Sequence, residues 1–70
     1  MQVNNVKELG ELIREIRKKN GFTQQKLASL ANVGTRFISE LERGKETSQI
    51  GKTLKITNLL GMEVHISERR

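Results

Sequence analysis

Apolar residues recur at helical spacing in four stretches of this chain and alternate with polar residues in a fifth. In the first stretch, residues 6–20, the apolar positions three or four residues apart are Leu9, Leu12, Ile13 and Ile16. This spacing places them on one face of a helix. Asn5 is a suitable N-cap, Glu8 occupies the acidic position of a capping box, and Gly21 is suited to end the helix. The pattern therefore predicts a first amphipathic helix.

Two shorter helical stretches follow, joined by a tight turn. The apolar positions of the first are Leu27, Ala28, Leu30 and Ala31, and those of the second are Phe37, Ile38 and Leu41. Thr23 is a good N-cap for the first, and Asn32 can adopt the left-handed conformation that reverses the chain. Val33 is placed to fill the angle between the helices, and Gly34 or Thr35 can cap the second. A bend this short makes the helices cross steeply, so residues 23–44 predict a helix-turn-helix unit.

A fourth helix is predicted from about Gln49 to Leu60, with Thr47 or Ser48 as its cap and Gly61 at its end. Its apolar residues do not form one narrow stripe. We expect one face to comprise Ile50, Leu54 and the side of residues 57 and 60, and a second face to comprise Ile56 and Leu59. A helix that is apolar over so wide an arc buries more than one side, and in a short chain the second side is expected to meet another subunit.

The tail, residues 62–67, alternates apolar and polar positions as a half-buried β-strand does. Since no other segment predicts a strand, we expect it to pair antiparallel with the same strand of a second copy. The alternative is a loosely packed or disordered chain end, which is common in proteins. His65 lies on the polar side of the tail and is expected to face solvent rather than to bind a metal or act in catalysis.

The composition narrows the possible functions. Seventy residues make one small domain, and with no cysteine and one histidine it has neither disulfides nor a plausible structural zinc site. A partner subunit is then the expected source of additional stability. With 13 Lys+Arg against 8 acidic residues, the net charge of +5 favours a polyanionic partner, although many small basic proteins bind none. The basic residues Arg17–Lys19 either complement the helix dipole or approach phosphates. No nucleophile–base pair, paired carboxylates or phosphate loop indicates an enzyme, and no metal or other cofactor is expected.

No apolar run is long enough to cross a membrane and no signal peptide precedes the first helix, so we expect a cytoplasmic protein without a membrane or small-molecule partner.

The central unit resembles the Cro/C1-type (XRE) helix-turn-helix family over about residues 9–60. The residues at the family's spacings are Thr23-Gln24, Leu27-Ala28, Val33, Ile38-Ser39 and Leu41-Glu42-Arg43-Gly44. Asn32 stands where the family usually has Gly, and Gly34 where it often has Ser or Thr, but both satisfy the same backbone demands. A β-strand in place of a fifth helix resembles the HipB branch, whose members are antitoxins that dimerise through C-terminal strands.

The resemblance implies a mainly α, four-to-five-helix, lambda-repressor-like domain at residues 6–61. It is preceded by a flexible N-terminus, residues 1–5, and followed by a dimerisation strand and tail, residues 62–70. The implied function is that of a homodimeric double-stranded-DNA repressor on an inverted repeat in a prokaryote or phage, associated with the nucleoid through its operator. Such a protein would also be the antitoxin that neutralises a HipA-like kinase toxin. The alternative is a stand-alone regulator with no toxin partner.

The resemblance also implies roles for particular residues. In this motif the second helix, about Thr35 to Arg43, lies in the major groove. The expected base-reading residues are Thr35, Arg36, Ser39 and Glu40, and the expected phosphate-binding residues are Gln24, Arg43 and Lys45. Arg36 is the best candidate because a guanidinium can grip O6 and N7 of guanine. Phe37 either packs or touches a thymine methyl. Glu42 is implied to pair with Arg17, and the expected dimer contacts are Ile56, Leu59, Met62, Val64 and Ile66.

Overall fold

The computed structural model describes residues 2–46 and 49–68, which form four α-helices and no strand. The helices are α1 (Val6–Lys19), α2 (Gln24–Ala31), α3 (Thr35–Glu42) and α4 (Ile50–Leu59). Helix α3 packs against both α1 and α2, and α4 packs against α2. The mainly α fold with a central helix-turn-helix is therefore confirmed. None of these four helices is long and apolar enough to cross a lipid bilayer.

The starts of α1 and α2 are fixed by the caps that the sequence predicts. The Oδ1 atom of Asn5 accepts a hydrogen bond from the backbone N–H of Glu8 at 2.8 Å. The Glu8 carboxylate reaches back to the N–H of Asn4 at 2.9 Å, one residue earlier than in a standard capping box. The Oγ1 atom of Thr23 accepts from the N–H of Lys26 at 3.0 Å. The cap predicted at Thr47 or Ser48 lies outside the described residues.

Each helix is followed, one or two residues after its last residue, by a residue with positive φ whose N–H donates to the carbonyl three residues earlier. These residues are Gly21, Asn32, Gly44 and Gly61. Asn32 is the only one of them with a side chain, at φ 55°, and it reverses the chain between α2 and α3. The N–H of Val33 then donates to the carbonyl of Ala28 at 3.0 Å, which closes a Schellman motif. The predicted left-handed residue is confirmed.

All four helices contribute to one hydrophobic core, whose buried members are Ile13, Leu27, Ala28, Ala31, Ile38, Leu41, Ile56 and Leu60. Val33 is half-buried and packs against this core, as expected for the residue that fills the interhelical angle. Leu30, which the spacing placed on the inner face of α2, is 46% exposed instead. A helix of eight residues has room for few inward positions, and Leu27, Ala28 and Ala31 occupy them.

The first face predicted for α4 is buried at Thr57 and Leu60, but the prediction was wrong for its other two residues. Ile50 and Leu54 are 64% and 44% exposed, whereas Thr53 and Thr57 are buried beside Ile56. The threonines are tolerated inside because their hydroxyls donate to backbone carbonyls of the same helix, at 3.2 Å from Gln49 O and 2.8 Å from Leu54 O. Their methyl groups can then pack as those of valine do, without a buried unsatisfied hydroxyl.

The tail, residues 62–68, forms no strand, so the strand prediction finds no support in this chain. The physical reason is that a strand needs a ladder partner for its N–H and C=O groups, and no other described segment of the chain is a strand. Only Met62, at the start of the tail, packs against the core, while Ile66 is 94% exposed.

Candidate nucleic-acid interface

Helices α1 and α3 cross at close range because a glycine stands at the contact. Gly10 is buried in the middle of α1, and a Cβ atom there would overlap the carbonyl oxygen of Leu41 on α3. Gly44, just after α3, is similarly close to α1, since a Cβ on it would lie 2.7 Å from the Cα of Lys7. Backbone-to-backbone contact of this kind fixes the position of α3 on the rest of the domain.

A buried ion pair lies beside this crossing. Arg17 on α1 donates from Nε to Glu42 Oε2 at 2.6 Å and from Nη2 to Glu42 Oε1 at 3.1 Å. The two side chains are only 8% and 2% exposed. The third nitrogen, Nη1, donates to the carbonyl of Phe22 at 2.7 Å, in the link between α1 and α2. Arg17 therefore joins α1 to α3 by two parallel hydrogen bonds of fixed geometry, and to the α1–α2 link by a third.

Gln24 belongs to the same buried network. Its Nε2 atom donates to Glu42 Oε1 at 3.1 Å, across 18 residues of sequence. A carboxylate only accepts hydrogen bonds, so the amide must present its NH2 group to Glu42, and its second N–H remains for another acceptor. Gln24 is also the first residue of α2, where backbone N–H groups are available to an anion. The backbone N–H groups at the start of α2 and the Gln24 amide therefore offer hydrogen-bond donors at the same place on the surface.

The four residues predicted to read bases lie along α3. Thr35 and Arg36 are exposed in its first turn, and Ser39 and Glu40 are half-buried one turn later. Arg36 is the most accessible of the charged ones, with its side chain 88% exposed. The structure therefore presents these side chains on the outer side of α3, away from the core residues Ile38 and Leu41.

Glu40 joins two of the predicted DNA contacts. Its Oε2 atom accepts from Arg36 Nε at 3.1 Å and from Lys45 Nζ at 3.2 Å. These two hydrogen bonds, that of Lys45 first and that of Arg36 second, hold the pKa of the Glu40 carboxyl below its usual range. The carboxylate is therefore ionised at neutral pH, and the three side chains together carry one net positive charge.

Sequence reasoning missed Lys52, which lies beside α3 in the first turn of α4. Its ammonium nitrogen is 5.6 Å from the centre of the Phe37 ring, a distance at which a cation is attracted to the ring face. Phe37 itself is half-buried and packs against the core. A lysine at a helix start opposes the helix dipole, and that anomaly was the available signal for a role on the surface.

The remaining predicted phosphate contact, Arg43, is exposed and follows the last residue of α3. It lines an open groove between α1 and α3 together with basic residues of α1, namely Lys7, Arg14 and Lys18. Acidic residues, Glu11 and Glu15, line the same groove, so this part of the surface has charges of both signs.

The residues predicted for dimer contacts fall into two groups. Ile56 is fully buried within the chain, so it is a core residue and not available to a second copy. Met62 is half-buried, and the others are exposed: Leu59 by 41%, Val64 by 52% and Ile66 by 94%. Met62 and Val64 line a shallow groove with Leu54, Thr57 and Asn58 of α4. Glu63 and His65 line the same groove, so its lining mixes apolar and polar side chains.

Comparison with known proteins places these features in context. Residues 10–64 match the model of a helix-turn-helix domain family. An uncharacterized HTH-type transcriptional regulator of Sinorhizobium fredii, y4mF, is 46% identical over 66 residues, which cover 90% of this chain and 87% of that protein.

Solved structures match the fold over most or all of the chain. HipB, in a complex with an O2 20mer, superposes with a TM-score of 0.87 at 20% identity, covering 100% of this chain and 97% of that one. The restriction-modification controller protein C.AhdI of Aeromonas hydrophila has a TM-score of 0.74 at 28% identity, covering 83% of this chain and 84% of that one. A complex of HipA, HipB and O2-O3 contains a chain with a TM-score of 0.86 at 20% identity, covering 100% of this chain and 99% of that one.

Proposed function

Because this chain belongs to the XRE-type helix-turn-helix family of DNA-binding transcriptional regulators, we propose that it is a repressor that binds an inverted repeat as a homodimer. The observation that carries the proposal is the outer face of α3. There Arg36 is almost fully accessible, while the same helix is anchored from behind by the buried Arg17–Glu42 pair. A rigidly held helix with an accessible guanidinium is suited to enter the major groove.

Base recognition is assigned to the first two turns of α3. The Arg36 guanidinium binds O6 and N7 of a guanine, and Thr35 packs its methyl against a thymine methyl. Ser39 is placed for a second base contact one turn further along the helix. Glu40 lies at the same level and can accept from a cytosine amine.

Phosphate contacts are assigned to both ends of the motif. Gln24 uses its second amide N–H together with the backbone N–H groups at the start of α2. Arg43 and Lys45 lie at the far end of α3, and their charges neutralise phosphates on the other side of the groove. These contacts fix the position of α3 but do not depend on the base sequence.

The homodimer is assigned to the accessible apolar side chains at the end of α4 and on the tail, namely Leu59, Met62, Val64 and Ile66. Of these, Met62 and Val64 share a groove with Leu54 of α4. A second copy would supply the ladder partner that the alternating tail lacks in a single chain. A two-fold dimer then presents two copies of α3 to half-sites about one helical turn, or about 34–36 Å, apart.

A second function, that of the antitoxin of a HipBA-like module, is favoured by one observation. HipB matches this chain over its full length, tail included, whereas C.AhdI matches 83% of it, and a HipB structure also contains HipA. We therefore propose that the protein also binds and neutralises a HipA-like kinase toxin and represses its own operon. The alternative is a stand-alone regulator with no toxin. Co-purification with the product of a neighbouring kinase-like reading frame supports the antitoxin role, and the absence of such a frame favours the stand-alone regulator.

Footprinting on the DNA upstream of the protein's own gene tests the main proposal. We expect protection of a palindrome by the wild type, and a dimer mass that falls to that of a monomer when residues 62–70 are removed. Arg36→Ala should weaken specific binding by about 1–3 kcal/mol and relax the preference at one base position. The proposal fails if the wild type is monomeric and binds palindromic and random duplexes equally at low salt.

A further inference from the structure

The ion pair between Glu40 and Arg36 suggests a role for Glu40 beyond a direct base contact. We propose that Glu40 is a positioning residue that fixes the Arg36 guanidinium for guanine, so that the two side chains determine specificity at one and the same base pair. The inference rests on the proposed DNA-binding function of α3 and deepens it.

Glu40 binds Arg36 at a nitrogen atom that leaves the end of the guanidinium accessible. Glu40 Oε2 accepts from Nε, the innermost nitrogen of the Arg36 guanidinium. Within the described residues, the terminal nitrogens Nη1 and Nη2 have no hydrogen-bond partner. A guanidinium is planar and rigid, so a bond at Nε fixes the direction of the terminal pair. Guanine offers two acceptors, O6 and N7, and Arg36 can bind both without giving up its bond to Glu40.

The Glu40 side chain is covered much more than the Arg36 side chain to which it binds. The Glu40 side chain is 21% exposed and is held at two points, by Arg36 and by Lys45, whereas the Arg36 side chain is 88% exposed. A long exposed side chain loses substantial rotamer entropy when it is immobilised on a ligand. A partly covered and doubly held carboxylate restricts Arg36 before DNA arrives, which reduces that loss.

The charge of Glu40 has little to offer the fold. An exposed ion pair of this kind contributes little to folding, because water screens the attraction between its charges. Against this small gain, a carboxylate beside a DNA-binding helix repels phosphates and competes with them for Arg36 and Lys45. Glu40 must therefore weaken binding to DNA of any sequence. Glu40 favours the proposed function if it improves discrimination between base pairs by more than it weakens binding to DNA of any sequence.

The test uses Glu40→Gln, which keeps the shape of the side chain and removes its charge. Dissociation constants are measured for the duplex that the wild type selects, for a set with each base pair replaced in turn, and for random DNA. We expect Glu40→Gln and Arg36→Ala to reduce the preference at the same base pair, each by about fivefold or more, as for loss of a bidentate contact. The double variant should show no larger loss there than Arg36→Ala alone, because the two residues act together.

Glu46→Gln is the matched control, since it removes the same charge from an exposed residue in the segment after α3 without breaking the Arg36 ion pair. Both glutamine variants should bind random DNA more tightly, but only Glu40→Gln should lose the base preference. Circular dichroism melting confirms that each variant is folded.

Two results would overturn the inference while leaving DNA binding intact. If Glu40→Gln alters the preference only at a base pair other than that of Arg36, Glu40 contacts that base directly and does not position Arg36. If Glu40→Gln behaves like Glu46→Gln, its charge has only a general effect. Failure of the proposed function is distinguishable, because the wild type itself would then select no duplex.

Discussion

Two glutamates that are two residues apart on α3 form ion pairs with arginines in contrasting surroundings. Glu42 pairs with Arg17 where the side chains are 2% and 8% exposed, and Glu40 pairs with Arg36 where they are 21% and 88% exposed. Positions i and i+2 point to opposite sides of a helix, so one carboxylate faces the domain and the other faces outward. The inner pair is closed to water, whereas the outer pair is open to solvent and, under the proposed function, to DNA.

The comparison shows how a short helix serves two purposes. The buried pair holds α3 against α1 and against the α1–α2 link, because Arg17 also donates to the Phe22 carbonyl. The exposed pair contributes little to folding, and we propose that it organises side chains for DNA. Burial thus distinguishes a structural ion pair from one that is free to serve another purpose.

Removing the buried carboxylate should have the largest effect. Glu42→Ala leaves the Arg17 guanidinium buried without its counter-ion, which should lower the free energy of unfolding by about 3–5 kcal/mol. That is comparable to the whole stability expected of a domain this small, so the variant should be mostly unfolded. Urea unfolding followed by circular dichroism at a fixed protein concentration measures the change.

The exposed counterpart supplies the control for that measurement. Glu40→Ala should leave the free energy of unfolding nearly unchanged, because water screens the exposed ion pair. The double variant Arg17→Met/Glu42→Met should recover stability relative to Glu42→Ala, because no uncompensated charge is left in the interior. Equal destabilisation by Glu42→Ala and Glu40→Ala would show that burial does not distinguish the two pairs.

A smaller but substantial loss is expected from Gly10→Ala. Alanine is favoured over glycine in a helix by about 1 kcal/mol. At Gly10, however, the added methyl meets the α3 backbone at Leu41, and the overpacking should result in a net destabilisation of about 1–3 kcal/mol. Thermal and urea unfolding report this change.

Gly51 in α4 is the matched control, because a Cβ atom there has no neighbour within 4 Å. Gly51→Ala should raise the free energy of unfolding by up to about 1 kcal/mol. If Gly10→Ala raises the free energy of unfolding as Gly51→Ala does, α1 and α3 do not cross as closely in solution as the structure shows.

Gln24→Ala should have a weaker effect on folding and a general effect on DNA binding. It removes one of the three hydrogen bonds on Glu42 and should destabilise the fold by about 0.5–1.5 kcal/mol. Loss of a phosphate contact should weaken specific and random duplexes by a similar factor. Gln25→Ala, at the exposed next position, is the control, and a change in base preference on Gln24→Ala would contradict the phosphate assignment.

The features that sequence predicted well are local ones. The Asn5 and Thr23 caps and the left-handed turn at Asn32 depend on neighbouring residues, so their chemistry is visible in the chain itself. The outward face of α3 also followed from the positions of Ile38 and Leu41, since the remaining residues of a short helix must face the other way.

The features that sequence reasoning missed depend on contacts between distant segments. The importance of Gly10 was overlooked because a side chain there is excluded by the backbone of α3, which is distant in sequence. A glycine inside a helix is nevertheless itself a signal of close approach. The inward face of α4 was partly misassigned because Thr53 counts as polar in the pattern, yet its hydroxyl is satisfied by the backbone carbonyl of Gln49. The tail alternates apolar and polar residues, but it forms no strand here, because a strand requires a second strand to bind its N–H and C=O groups and no other described segment is one.

The smallest expected effect is on the titration of the outer carboxyl group, Glu40. Lys45 and Arg36 lower the pKa of Glu40, Lys45 having the larger effect, so Lys45→Ala should raise that pKa toward its usual range by more than Arg36→Ala does. A carboxyl group with a lowered pKa stabilises the folded state above its unfolded pKa, and the contribution is lost as the pH falls through the lowered value. Stability from this cluster should therefore be constant at neutral pH and decline only under acid conditions. Carbon-detected NMR titration of the Glu40 carboxyl in the wild type and in both variants measures the shift. An unchanged Glu40 pKa in Lys45→Ala would mean that the outer cluster is not held together in solution, and the comparison with Glu42 would then rest on burial alone.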